Sequence, residues 1–213
     1  MLKLYGYWRS SAAYRLRIAM NLKGICYEAV SVNIAPSAGA QKEAEFKAMN
    51  PQMRVPVLQT DEGVLTQSMA ILEWLEETYP DVPMLPAHAF QRAECRAFAD
   101  TIACDVHPLN NLSVLSALKT DFKASPEQVN HWYSDWILRG FAALEVSATK
   151  RASAFLYGDK PGLAEICLIP QIYNARRFEV DLSAFPELVA IATTCHALEA
   201  FQKAVPEAQP DAR

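Results

Sequence analysis

Arg9, Ser10 and Ser11 stand directly ahead of a helical run, in YWRSSAAYRLRIAMNLKG over residues 7–24. Capping a helix takes one hydroxyl, since a single side-chain oxygen satisfies an orphan N–H of the first turn. A second hydroxyl and a guanidinium add donors and positive charge to an end that already carries about half a positive charge. That combination suits a small anion such as a thiolate. A second place of this kind falls at Gln67-Ser68, where a hydroxyl, an amide and the backbone N–H groups of another helix start suit a carboxylate. Between the two, Val55-Pro56 lies in MRVPVL just ahead of a strand. Its proline lacks an N–H and restricts Val55, which implies an edge, a bulge or a cis bond; a cis bond would turn the Val55 backbone outward, where a peptide could add as a short strand. Thiol, peptide and carboxylate together describe glutathione.

Each of these residues also has a plainer reading. Ser10 or Ser11 serves as an N-cap, Ser68 likewise, and Pro56 as an edge-strand proline. His107, beside Pro108, is as readily a structural histidine as a ligand contact, and Asn110 and Asn111 could cap a restarted helix. Arg176 and Arg177 point about 100° apart on a helix, so at most one faces a given cleft. Tyr5 and Tyr7 share one strand face and read as packing, as do Trp132 and Trp136 at helical spacing. Cys104 and His107 have the spacing of a metal pair or a nucleophile and base; a buried thiol is the expectation for Cys104, because two ligands are too few for a structural metal.

The elements that must hold these groups follow from periodicity and punctuation. LKLYGYW reads as a strand, Ala12 to Leu22 as a helix closed by Lys23-Gly24, and Tyr27 to Ile34 as a strand, which together form a βαβ unit. Residues 35–50 read as a loop with a short irregular helix. The MRVPVL strand, a turn at Asp61-Glu62-Gly63, a further strand and a helix with Ser68 as its N-cap complete a ββα unit. Pro80, Pro83 and Pro86 mark a connector over 81–90, between a first domain at 1–80 and an all-helical one at 91–213. In the second domain Pro108 breaks a long helix begun near Gln91. SPEQ at 125–128 opens another, Gly162 with Glu165 a third, and Pro186 a last one reaching Val205, before a loose EAQPDAR tail.

Composition sets the outer limits. The chain has 213 residues, 51% of them hydrophobic, and a formal charge of −4 from 20 basic and 24 acidic side chains. Both signs are interspersed, so nucleic acid is not an expected partner. No apolar run approaches the ~20 residues that span a bilayer, and the N-terminus lacks a signal-peptide pattern, so a cytoplasmic protein is expected. Five cysteines, an odd number without C-x-x-C spacing, argue for reduced thiols and against a metal site.

The βαβ-ββα half, RVPVL, TQSMAILEWLEE and the helical second half resemble the glutathione transferase superfamily. YWRSSAAYRLRIAMNLKG, HPLNNLSVL, LIPQIYNARRFEVDLSAFP and ALEAFQKAVPEAQPD resemble its zeta class of maleylacetoacetate and maleylpyruvate isomerases, over nearly the whole chain. The resemblance implies a thioredoxin-like N-terminal domain, a helical domain contributing the substrate pocket, and a homodimer. It implies a cofactor, glutathione, and a small dicarboxylic diketo acid as substrate. The class's S-S-C motif falls on Ser10, Ser11 and Ala12, so mechanisms that need the cysteine are excluded and Ser10 or Ser11 must stabilise the thiolate. Val55 falls on the contact to the cysteinyl backbone, Gln67 and Ser68 on the γ-glutamyl carboxylate, and His107 and Asn111 on further glutathione contacts. Arg9 and Arg177 correspond to the groups facing substrate carboxylates. Relatives acting on maleylpyruvate tend to carry arginines where this chain has Leu112 and Ser113, which leans toward maleylacetoacetate. A glutathione transferase acting on α-haloacids and a non-enzymatic module of the same fold are the alternatives.

Overall fold

A computed structural model describes residues 1–35 and 38–212. Pro36 and Ser37, in the predicted 35–50 loop, and Arg213 at the end of the predicted tail lie outside the described residues. The chain forms two compact units, residues 1–84 with 196–213, and residues 85–195.

The first unit is built on a four-stranded sheet in the order β2-β1-β3-β4. β1 (Lys3–Gly6) runs parallel to β2 (Glu28–Ser31), while β3 (Val57–Gln59) pairs antiparallel with both β1 and β4 (Val64–Thr66). The parallel pair is joined through α1 (Ser11–Leu22), as a crossover requires. Gly6 lies against this helix: a Cβ there would stand 3.2 Å from the Ala13 Cβ, so a bare backbone lets the strand end approach the helix start. α2 (Ala44–Met49) and a short 3₁₀ turn at Ala40–Lys42 occupy the predicted irregular region, and α3 (Ser68–Thr78) follows β4. The predicted βαβ-ββα order is present, with β2 shorter than the Tyr27–Ile34 reading. Ser68 is the first helical residue of α3 and Gln67 its N-cap, one position earlier than predicted.

The second unit begins with α4 (Ala89–Asp100), which widens into π-type turns at Thr101–Val106 and tightens to a 3₁₀ turn at His107–Leu109 before α5 (Leu112–Thr120). This is the predicted interruption at Pro108. The widened turns pack against α6 (Pro126–Ala148) at Gly140, where a Cβ would collide with Val106. α6 opens on the predicted capping box, with the Ser125 hydroxyl accepting from Gln128 N–H and the Gln128 amide accepting from Ser125 N–H. α7 (Leu163–Arg177) has no hydroxyl cap; buried Glu165 accepts from Gly162 N–H at 2.8 Å and Leu156 N–H at 2.7 Å. Burial pushes the Glu165 pKa up, and those N–H groups pull it back.

Two C-terminal expectations fail. The last predicted helix divides into α8 (Pro186–His196) and α9 (Glu199–Gln202), because the backbone turns extended at Leu198, φ −89° and ψ 133°. The tail is not loose: within the first unit, the Asp211 carboxylate accepts from Trp8 N–H at 3.3 Å and from the Ser31 hydroxyl at 2.7 Å. No helix among the described residues is long and apolar enough to cross a membrane.

Candidate active site

Register places the three sequence-singled segments at one end of the sheet. Tyr5, Val57 and Thr66 lie in a row across β1, β3 and β4. Because β3 runs opposite to its neighbours, the chain beyond that row leads up to Ser10, back to Val55-Pro56, and on to Gln67-Ser68. Three segments far apart in sequence thus share one edge.

Ser10 is the N-cap of α1: its Oγ accepts from Ala13 N–H at 3.3 Å, and its own N–H donates to Tyr7 C=O at 2.9 Å. A hydroxyl that accepts a cap bond still has its proton to donate. Ser10 is half-buried, whereas Ser11, one step into the helix, is only 7% exposed. Cap and accessible donor are therefore the same side chain. The turn ahead of it is held firmly, since buried Arg17 donates to Trp8 C=O and Ala204 C=O, each at 3.0 Å. The exposed Arg9 guanidinium lies 4.0 Å above the Trp8 ring.

The Val55-Pro56 bond is cis, one of the three geometries expected, and Val55 is half-buried. Gln67 has φ 68° and ψ 113°, a conformation that costs a non-glycine residue about 1–3 kcal/mol and occurs most at ligand sites. No side-chain hydrogen bond caps α3, and the exposed Gln67 amide donates to Gln52 Oε1 at 2.7 Å. Ser68 is 7% exposed, and its Oγ accepts from Arg15 Nη1 at 3.2 Å. Arg15 was absent from the sequence reading. With Arg17 two positions further along the same helix, a charged residue at 15 gave no local signal of its own.

The remaining candidates belong to the second unit. His107 is half-buried in the 3₁₀ turn. Asn111 caps α5, its Oδ1 accepting from Ser113 N–H at 2.9 Å and Val114 N–H at 3.1 Å and its Nδ2 donating to Pro108 C=O. Both ends of its amide are thus engaged locally. Arg176 and Arg177 are both exposed at the end of α7. The Arg177 guanidinium lies 5.0 Å from the Phe178 ring, which stacks on buried Tyr133 at 3.8 Å. Burial drives the Tyr133 hydroxyl far above its usual pKa, and Arg177 opposes that rise. Tyr133 is no source of a phenolate near neutrality.

Two of the protein's own thiols fit no nucleophile. Burial pushes Cys95 up to about 12 and raises Cys195 further, and both are inert as thiols near neutral pH. Cys104 is exposed, contrary to the expectation of burial, because it occurs on the outer side of the widened turns. None of the five cysteines is in a disulfide.

Residues 1–77 match the family described as "Glutathione S-transferase, N-terminal domain". The chain is 46% identical to the "Probable maleylacetoacetate isomerase" of Vibrio cholerae, over 98% of this chain and 97% of that one. It is 45% identical to the "Maleylpyruvate isomerase" of a Ralstonia species, over 99% of each. Among solved structures, it superposes with a TM-score of 0.96 on the holo form of a maleylpyruvate isomerase described as a bacterial zeta-class glutathione S-transferase, at 44% identity, covering 99% of this chain and 100% of that one. The maleylacetoacetate isomerase of Methylobacterium extorquens, solved with malonate and glutathione, gives 0.94 at 39% identity, with 99% of each chain covered.

Proposed function

We propose, from the premise that this chain belongs to the zeta class of the glutathione transferases, that it isomerises maleylacetoacetate to fumarylacetoacetate with glutathione as a recycled cofactor. The observation that carries this reading is the start of α1, where a half-exposed cap hydroxyl keeps its proton beside uncapped helix N–H groups. Glutathione supplies the sulfur that the chain itself lacks there, since Ala12 stands where the class usually has cysteine. Val55 binds the cysteinyl backbone, Gln67 and Ser68 the γ-glutamyl carboxylate, and His107 adds a contact. Asn111 contributes through the turn that it caps.

Ser10 donates to the sulfur and, with the helix end, stabilises the thiolate. An unperturbed cysteine thiol has a pKa of about 8.5, and each unit of lowering corresponds to ~1.4 kcal/mol. The thiolate adds to one carbon of the cis double bond. The π pair moves onto the conjugated carbonyl as an enolate, and the former double bond rotates as a single bond. Collapse of the enolate then expels the thiolate and leaves the trans isomer, so nothing is oxidised or consumed. Arg9 and Arg177 hold the substrate carboxylates, for which a planar, permanently charged fork is suited, and offset the enolate charge. Ser11, being buried, supports the helix start and does not contact sulfur.

In this reading most glutathione contacts come from the first 80 residues, and the helical residues after the 81–90 connector supply Arg177 for substrate and His107 for glutathione. The protein works as a homodimer in the cytoplasm, where five free thiols are compatible with a reducing compartment. Incubation with substrate and a trace of glutathione is expected to convert many equivalents with no loss of titratable thiol; thiol loss matching product would instead identify a conjugating transferase. Maleylpyruvate is the competing substrate, favoured by the similarity to the Ralstonia isomerase. The ratio of kcat/KM for the two diketo acids separates them, with maleylacetoacetate expected to be preferred.

A further inference from the structure

Arg15 is a charge in the wrong place for a solitary residue. It is 2% exposed, and only one of its three nitrogens has a partner, Nη1 donating to Ser68 Oγ at 3.2 Å. Nε and Nη2 are buried without any hydrogen-bond partner, and Arg15 makes no ion pair among the described residues. Its neighbour two positions on, Arg17, is also buried, at 5% exposed, but donates to two backbone carbonyls. A guanidinium does not escape this cost by losing its proton, so a buried one without an anion is expensive to the fold. Such a group implies a missing countercharge.

The bond to Ser68 says where that countercharge belongs. Because the Ser68 oxygen accepts from Arg15, the serine proton must point elsewhere, and Ser68 opens α3 at an end that no side chain caps. The Ser68 hydroxyl proton, at the α3 start, is then left for an anion, with a permanent positive charge behind it.

We propose that Arg15 is a positioning residue for the glutathione cofactor: acting through Ser68 from beneath α3, its buried charge selects the α-carboxylate of the γ-glutamyl group. This rests on the reading of the protein as glutathione-dependent. The consequence is specificity for that one carboxylate, and a general gain in affinity for thiols is not expected.

Glutathione binding is compared, by calorimetry, with that of 4-aminobutanoyl-cysteinylglycine, which is glutathione without the α-carboxylate, in the wild type, Arg15→Gln and Arg15→Met. Wild type is expected to prefer glutathione by at least about tenfold, and both variants to lose most of that preference while binding the analogue as the wild type does. The loss should fall on KM for glutathione far more than on kcat. The Met variant should melt no lower than the wild type, since a buried unpaired charge has been replaced by an apolar chain of similar length. Should Arg15→Gln fail to fold, Arg15→Met alone gives the same comparison. Equal weakening of both ligands, or an unchanged preference, overturns the proposal. A wild type that binds glutathione with no preference over the analogue overturns it too, while the functional reading stands. A wild type that does not bind glutathione at all overturns both.

Discussion

The starts of α1 and α3 lie at the same end of the sheet and present their N–H groups in opposite ways. At α1, Ser10 is half-exposed, caps Ala13 with its oxygen and keeps its proton for whatever approaches. At α3, Ser68 is buried, accepts from Arg15, and follows a Gln67 held at φ 68° with no side-chain cap. One end has a side-chain cap on one N–H and a hydroxyl proton to spare; the other has no side-chain cap and is backed by a cation. In the proposed function the first therefore tunes a reacting atom, while the second anchors an unreactive charge. That proposal assigns reactivity and affinity to different helices of a single fold.

That division can be broken by exchanging effects between the two ends. The largest change is expected from Ser10→Ala, which removes a charge-assisted hydrogen bond of about 1.5–3 kcal/mol and should lower kcat by roughly 10- to 100-fold. Its glutathione affinity should change by much less, and Ser11→Ala should leave turnover within a few-fold; steady-state kinetics with both variants reads this directly. A Ser11→Ala variant more impaired than Ser10→Ala would reverse the two roles. Ser68→Ala should do the opposite, weakening glutathione binding by about tenfold at near-normal kcat. It should also cost about 1–3 kcal/mol of stability, read as a lower Tm, because it strips Arg15 of its one acceptor. The smallest effect is expected from Gln67→Ala: its side chain is exposed, so Tm should hold while affinity falls a few-fold.

Local chemistry in the sequence carried much of this. The RSS stretch, Val55-Pro56 and Gln67-Ser68 each announced a departure from ordinary helix or strand needs, and each is found at the same sheet edge. The SPEQ box and Pro108 likewise marked boundaries that depend on a few neighbouring residues. What was not legible depends on distant partners. Whether Ser10 or Ser11 faces outward is a matter of which one the packing of α1 buries. Asp211 reads as part of a polar tail until Trp8 and Ser31 are beside it. Arg15 reads as one more helical cation until Ser68, 53 residues away, proves to be its acceptor.

The central claim is that the α1 terminus and the Ser10 hydroxyl together keep the bound sulfur ionised. Titrating the thiolate absorbance of glutathione bound to the wild type and to Ser10→Ala tests it most directly. The account predicts a wild-type pKa at least about one unit below that of free glutathione, with much of the difference lost in the variant. A bound thiol as weakly acidic as the free tripeptide, or one unaffected by the substitution, would contradict it.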